Sequence, residues 1–310
     1  MQLRALMYFD ELVRTSSMRA AAENLNVAPT AVSRQIENLE HYFGTTLVER
    51  SNRGIRLTAA GELLAARAGR TLRELEHVHQ LIDDLQGLQR GKVTIYANGA
   101  TVANLLAPVL AQFSLRYPKL RFEVAITSAR QAIEALASAE ADLVVTLFAQ
   151  KMAGVKVRLR SEITYELITW GNHPAAGRPE ITLKEIATLP LALPDKTFGA
   201  RQAFEEQFAK LGIELDPVFV TGSLEMLKEL VLREAAVTLL PALTVQREVD
   251  LGLLAAIPIS AGKGVRTAID LCVAPDRQLS YAAGKLVDFI EAFMHGAEHA
   301  KTGSRSKKPV

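Results

Sequence analysis

Ala20-Ala21-Ala22-Glu23-Asn24-Leu25-Asn26-Val27-Ala28-Pro29-Thr30-Ala31-Val32-Ser33-Arg34-Gln35-Ile36-Glu37-Asn38-Leu39-Glu40 is the stretch whose reading decides the first domain. Its alanines let a short helix approach a neighbour closely, and Asn24-Leu25-Asn26-Val27 makes a tight turn. Pro29 opens the next helix, where its fixed φ suits the first helical position and its missing N–H costs nothing. A helix, a turn and a second helix with exposed N-terminal turns can lay side chains against base edges in the major groove. Those turns carry Pro29, Thr30, Ser33 and Arg34, the candidate DNA contacts. Hydroxyls bond phosphates or bases, and an Arg fork fits guanine O6/N7 or a phosphate.

The flanks extend this reading. Leu3, Leu6, Met7, Phe9, Leu12 and Val13 recur at helical spacing, and Thr15-Ser16-Ser17 offers a hydroxyl cap to the helix from Met18. Ile36, Leu39, Tyr42 and Phe43 are expected on the inward face of the third helix, which Gly44 ends. Leu47 to Arg50 and Ile55 to Leu57, around Ser51-Asn52-Arg53-Gly54, read as a β-hairpin wing. Arg50, Arg53 and Arg56 give it local positive charge, and Arg50 and Arg53 join the candidate DNA contacts. Thr58 caps a long helix to about Gln86 in which Leu64, Ala68, Leu75, Val78, Ile82 and Leu85 step by threes and fours, Thr71 filling one place. So narrow a seam fits pairing with a second helix and dimerisation; packing on its own domain is the alternative.

From Lys92 the period changes. Strands are expected at 93–97, 120–126, 142–147, 213–220, 236–240 and 268–273, and helices at 101–116, 129–139, 200–211, 223–233 and 280–295. That alternation predicts a mostly parallel sheet with helices on both faces. Residues 299–310 read as a disordered basic tail.

The chain has 310 residues, 49% hydrophobic and 23% charged, with a net charge of +2. That length suits two or three domains with ordinary cores, and bulk charge neither demands nor excludes nucleic acid. A single cysteine, Cys272, fits a reducing cytoplasm, and no run of about 20 apolar residues suggests a membrane span. His77 and His79 face different ways on a helix, while His295 and His299 fit a solvated face. No zinc-hydrolase helix, phosphate loop or nucleophile elbow occurs, so no catalytic residue, metal or cofactor is assigned.

Ala31 to Glu40 (Ala-Val-Ser-Arg-Gln-Ile-x-x-Leu-Glu), then Gly44-x-x-Leu47-Val48-x-Arg50, then Leu57-Thr58-x-x-Gly61, resemble the signature of the LysR-type transcriptional regulators. The first 65 residues match densely; the remainder, to about Phe293, matches in layout. The resemblance implies an α+β winged helix-turn-helix DNA-binding domain over 1–58 and a linker and dimerisation helix over 59–90. It also implies an α/β two-lobed, periplasmic-binding-protein-like effector domain over 91–298, with lobe I at 91–160 and 267–298 and lobe II at 161–266. Partners implied are double-stranded promoter DNA, a small-molecule effector, and further copies of the chain as dimers and tetramers. Two positions depart. Ala28-Pro29-Thr30 stands where many members have Ser-Gln-Pro, removing a capping hydroxyl, and Arg233-Glu234-Ala235-Ala236-Val237 replaces a Gly-x-Gly turn.

Ligands of open α/β sheets sit beyond the carboxyl ends of strands. Asn98, Gly99, Ala100 and Thr101 follow the first such strand, and Thr221 and Ser223 a later one. By the resemblance both groups face a cleft that Thr146, Phe148, Thr197 and Phe198 complete. An organic anion held by helix N-termini is the first candidate effector; neutral and aromatic ones stay open, as does an ordinary capping role for each residue. Arg201 is open between an acidic effector and the surface. A second reading also stands: an α/β ligand-binding protein or enzyme whose N-terminal helices only dimerise.

Overall fold

The computed structural model describes residues 3–51, 54–85, 91–147, 154–196, 198–260 and 266–304. It divides into two units, Met1–Leu88 with Ser138–Glu140, and Gln89–Ala137 with Ala141–Val310.

The first unit holds α1 (Leu3–Thr15), α2 (Met18–Asn24), α3 (Pro29–Phe43), the antiparallel pair β1 (Val48–Ser51) and β2 (Gly54–Leu57), and α4 (Ala59–Leu85). Ser17 Oγ accepts the Ala20 N–H at 3.3 Å and Thr58 Oγ1 accepts the Gly61 N–H at 3.0 Å, so both expected caps form. Ala28, as expected, caps α3 without a side-chain bond, and Gly44 closes it at φ +66°. Phe9, Leu12, Ala21, Ala22, Val32, Ile36 and Leu39 make one core. Tyr42 and Phe43 do not join it: they are 59% and 43% exposed, against the sequence expectation. Tyr42 falls off the Val32–Ile36–Leu39 stripe, and Phe43 is the last helical residue. Their rings pack edge-on against each other instead, 5.0 Å apart. On α4, Ala68 is buried while Leu75, Val78 and Ile82 are about half exposed and Leu85 is 88% exposed.

The second unit contains β3 (Gly91–Ala97), a 3-10 turn (Gly99–Thr101), a π-turn (Val102–Leu106), α5 (Ala107–Arg116), β4 (Leu120–Ile126), α6 (Ala129–Ala137) and β5 (Leu143–Leu147). There follow β6 (Lys156–Trp170), α7 (Leu183–Ile186), β7 (Leu191–Pro194), α8 (Gly199–Ala209), β8 (Phe219–Thr221), α9 (Leu224–Leu232) and β9 (Val237–Pro241). A 3-10 turn (Ala242–Val245), α10 (Gln246–Asp250), β10 (Leu254–Pro258), β11 (Arg266–Val273) and α11 (Tyr281–Ser304) complete it.

Nine strands form one sheet in the order β4-β3-β5-β11-β6-β9-β7-β8, with β10 also on β6. Pairing is parallel in β4-β3-β5 and β9-β7-β8 but antiparallel wherever β6 or β11 takes part. The sheet is therefore mixed rather than mostly parallel: three strands missing from the sequence reading, β6, β7 and β10, join it, and β6 and β10 pair antiparallel. β6 pairs with β11 through its first half and with β9 and β10 through its second. The half-sheets have separate cores, one around Ile95, Phe113, Val145, Leu271 and Leu286, the other around Leu167, Leu193, Phe204, Phe208 and Leu239.

Other boundaries shift for local reasons. The expected strand 213–220 shrinks to Phe219–Thr221, since Pro217 has no N–H for a ladder. The expected helix from Thr101 begins as 3-10 and π turns. Pro108 cannot donate back to the Asn104 carbonyl, and the Ala107 N–H reaches five residues back to Val102. After α9, Glu234 adopts φ +59° where a glycine turn would carry no Cβ penalty. α11 stays helical to Ser304, past the expected start of the tail at 299, with helix-favouring Ala300 in that stretch.

Candidate nucleic-acid interface and ligand cleft

With Val32, Ile36 and Leu39 turned inward, the opposite side of α3 exposes Thr30, Arg34 and Asn38, one turn apart. These three, with Ala31 and Gln35, line a shallow concavity. Pro29 is exposed beside them. Ser33 lies on the flank, and its hydroxyl donates to Glu37 Oε1 at 3.1 Å. Glu40 is turned to the wing: its Oε1 accepts the Leu47 and Val48 N–H groups at 2.8 and 3.2 Å. Arg50 sits on β1 opposite Ile55, Arg56 is exposed on β2, and Arg53 lies outside the described residues. Sequence reasoning missed Gln35 and Asn38, although their positions four residues beyond Ala31 and Arg34 carried the signal.

Register locates the cleft of the second unit. β5 ends at Leu147, which stands opposite Ile269, which stands opposite Ser161 of β6. β9 ends at Pro241, opposite Tyr165 of β6, and runs antiparallel to it. The carboxyl ends of the two half-sheets therefore point at each other over Ser161 to Tyr165, a gap of about 13 Å at about 3.3 Å per residue.

On the first half-sheet, Asn98 N–H bonds the Val145 carbonyl at 3.0 Å and Thr127 N–H bonds the Ala97 carbonyl at 2.9 Å, so both parallel ladders continue past their strands. Asn98 thus stands beside Thr146 and Thr127 beside Asn98; Thr146 faces Asp270, and Asp270 faces Arg160. These five residues form a polar row on one face of five adjacent strands. Asp270 is wholly buried, and the Arg160 guanidinium grips both its oxygens, Nε at 2.6 Å and Nη2 at 2.8 Å. The Thr146 hydroxyl is buried with no hydrogen-bond partner among the described residues. Asn98 is 8% exposed; its Oδ1 accepts the Ala100 N–H at 3.0 Å, and its NH2 bonds nothing among the described residues. Gly99 and Ala100 are half-buried beside it.

Thr101 differs from expectation. It is fully buried, and its hydroxyl donates to the Asn98 carbonyl at 2.9 Å, with the Val145 carbonyl at 3.4 Å, so it holds the turn together rather than facing a ligand. Of this row the sequence reading named Asn98 and Thr146 but not Thr127, Asp270 or Arg160. The signal for Asp270 was a lone charge inside the apolar run Ala268 to Val273.

On the second half-sheet, Thr221 Oγ1 accepts the Ser223 N–H at 3.1 Å and Ser223 Oγ accepts the Met226 N–H at 3.2 Å. Asp195 Oδ2 lies 2.8 Å, and the Phe198 ring 3.8 Å, from where a Cβ on Gly222 would stand. A carboxylate thus already stands at the start of α9. Phe148 and Thr197 lie outside the described residues. Arg201 is 5% exposed and bonded to Glu205 at 2.8 Å, so it belongs to neither an open surface nor a free cation site. Cys272 is fully buried; burial first, and the Asp270 carboxylate second, push its thiol up to about 12.

The family model described as "LysR substrate binding domain" matches residues 86–294, and "Bacterial regulatory helix-turn-helix protein, lysR family" matches residues 3–62. The chain belongs to the LysR family. The RuBisCO operon transcriptional regulator of Allochromatium vinosum is 27% identical over 292 residues, covering 93% of this chain and 95% of that protein. The hydrogen peroxide-inducible genes activator of Pectobacterium carotovorum subsp. carotovorum is 27% identical over 297 residues, covering 96% and 98%. Full-length CbnR complexed with its target DNA has the same fold, at TM-score 0.69, 20% identity and coverage of 94% and 99%. This LysR-family chain is a DNA-binding transcription regulator with an effector domain, and the enzyme alternative falls away. No described helix is long and apolar enough to cross a membrane.

Proposed function

We propose that this regulator reads promoter DNA through Pro29, Thr30, Ser33 and Arg34 of α3, with Arg50 and Arg53 of the wing on phosphates. A small molecule held over Ser161–Tyr165 of β6 switches it in the cytoplasm. The observation that supports the cleft best is the buried Thr146 hydroxyl, which has no partner among the described residues, with the Asn98 NH2 group beside it at the converging strand ends. Such groups call for an acceptor from water or ligand. Asp195 at the start of α9 disfavours an anion held by both helix N-termini, the first expectation. An effector with a carboxylate or carbonyl oxygen toward Asn98 and a hydrogen-bond donor toward Asp195 fits better. Closure of the half-sheets on it would act only through its unequal affinity for open and closed arrangements.

The apolar stripe Leu75, Val78, Ile82 and Leu85 of α4 is the dimer seam, and pairs of dimers make the tetramer on DNA. A peroxide-sensing mechanism, suggested by one relative's name, has no support in this chain, because its one thiol is buried and held protonated. Thermal-shift screening of small metabolites against the full chain tests the cleft: a hit should raise the melting temperature of the parent and not of Asn98→Ala. Equal shifts in both proteins would put the site elsewhere.

A further inference from the structure

We infer that Asn38 is a base-reading residue that takes an adenine about two base pairs beyond the base under Arg34. The inference rests on the DNA-reading role of α3. Thr30, Arg34 and Asn38 are all exposed, at i, i+4 and i+8 on the side of α3 opposite its buried stripe. Ala31 and Gln35 complete the concavity they line, so the reading face extends over more than two turns rather than ending at Arg34. An interaction face of that length matches how a recognition helix lies along the major groove.

Chemistry assigns the base. An asparagine amide presents a donor and an acceptor side by side, complementary to adenine N6–H and N7. The short side chain holds that pair close to the helix. At about 1.5 Å rise per residue, Asn38 lies about 6 Å along the axis from Arg34, close to two base-pair steps of about 3.4 Å. An uncharged amide gains less from a phosphate than a cation would, so the base edge is taken as the partner. The Gln35 carbonyl oxygen is buried with no hydrogen-bond partner among the described residues, so that amide is set into the floor of the concavity while Asn38 stands out from it.

Duplexes selected from a random-sequence library with the full-length protein supply the target, and anisotropy titrations of all single-base variants supply the reading. Asn38→Ala, a helix-favouring change at an exposed site whose helicity is checked by circular dichroism, should bind the selected duplex about 5- to 150-fold more weakly. It should also lose the penalty for replacing one particular A·T pair and keep the parent's salt dependence. Retention of every positional penalty overturns the inference, as does a uniform loss with a shallower salt dependence, the mark of a phosphate contact. A parent that binds selected and scrambled duplexes alike overturns the DNA-reading role of α3 together with it. A specific parent with an unaltered Asn38→Ala overturns this inference alone.

Discussion

Gly61 and Leu47 touch backbone to backbone: a Cβ on Gly61 would stand 2.0 Å from the Leu47 carbonyl oxygen. The first turn of α4 therefore lies directly on the chain that enters the wing. The Leu47 carbonyl also accepts the Thr58 N–H at 3.0 Å, so neither side can easily move away. Gly61→Ala should destabilise the first unit by about 1–3 kcal/mol, the usual range for overpacking, and weaken DNA binding with it. Denaturant unfolding measures this; a variant as stable as the parent would mean that the contact relaxes freely.

The α4 seam yields a second expected outcome. Leu75 is about half exposed in the single chain and lies three residues before Val78 and seven before Ile82. In a dimer it would be covered, and Leu75→Asp would bury an unpaired charge. Sedimentation should then show monomer at concentrations where the parent is dimeric. An unchanged dimer would move the interface off this stripe.

The helix-turn-helix was legible because its signals are local: Ser17 and Thr58 cap, Gly44 stops, and Ile36 and Leu39 mark a stripe. The effector unit was legible only in part. Helix–strand alternation exposed most of the parallel strands, but no element was read between Leu147 and Leu191, and the Val157, Leu159, Ile163, Tyr165 and Leu167 alternation of β6 was read past. Missing β6 hid the convergence of strand ends, and with it Arg160 and Asp270. Thr101 shows a different limit: sequence marks a hydroxyl at a turn but not whether it faces the ligand or, as here, the Asn98 carbonyl.

The Arg160–Asp270 pair carries a third expectation. Arg160→Ala leaves a wholly buried carboxylate without its cation. Breaking a fully buried pair costs about 3–5 kcal/mol. The Arg160 side chain is 44% exposed, so water offsets part of that, and about 2–3 kcal/mol is expected. Arg160→Met combined with Asp270→Leu should recover most of it. Chemical denaturation of the single and double variants decides, and equal losses in both would show that no charge pairing was at stake.

Cys272 should be inert in the folded protein. With its thiol held at about 12 by burial, almost no thiolate exists near neutral pH. Iodoacetamide at pH 8 should label the denatured chain readily and the native chain very slowly. Hydrogen peroxide should leave DNA affinity unchanged. Rapid native labelling, or a peroxide response that Cys272→Ala abolishes, would reinstate thiol sensing.

The central claim is that α3 reads sequence, and Arg34→Ala tests it most directly. Anisotropy titrations of full-length parent and variant with a selected duplex and a scrambled one, from about 50 to about 200 mM salt, give the comparison. The parent should prefer the selected duplex by at least about 1,000-fold. Arg34→Ala should lose about 5- to 150-fold on that duplex and much less on the scrambled one. A variant that binds the selected duplex as tightly as the parent would contradict the account.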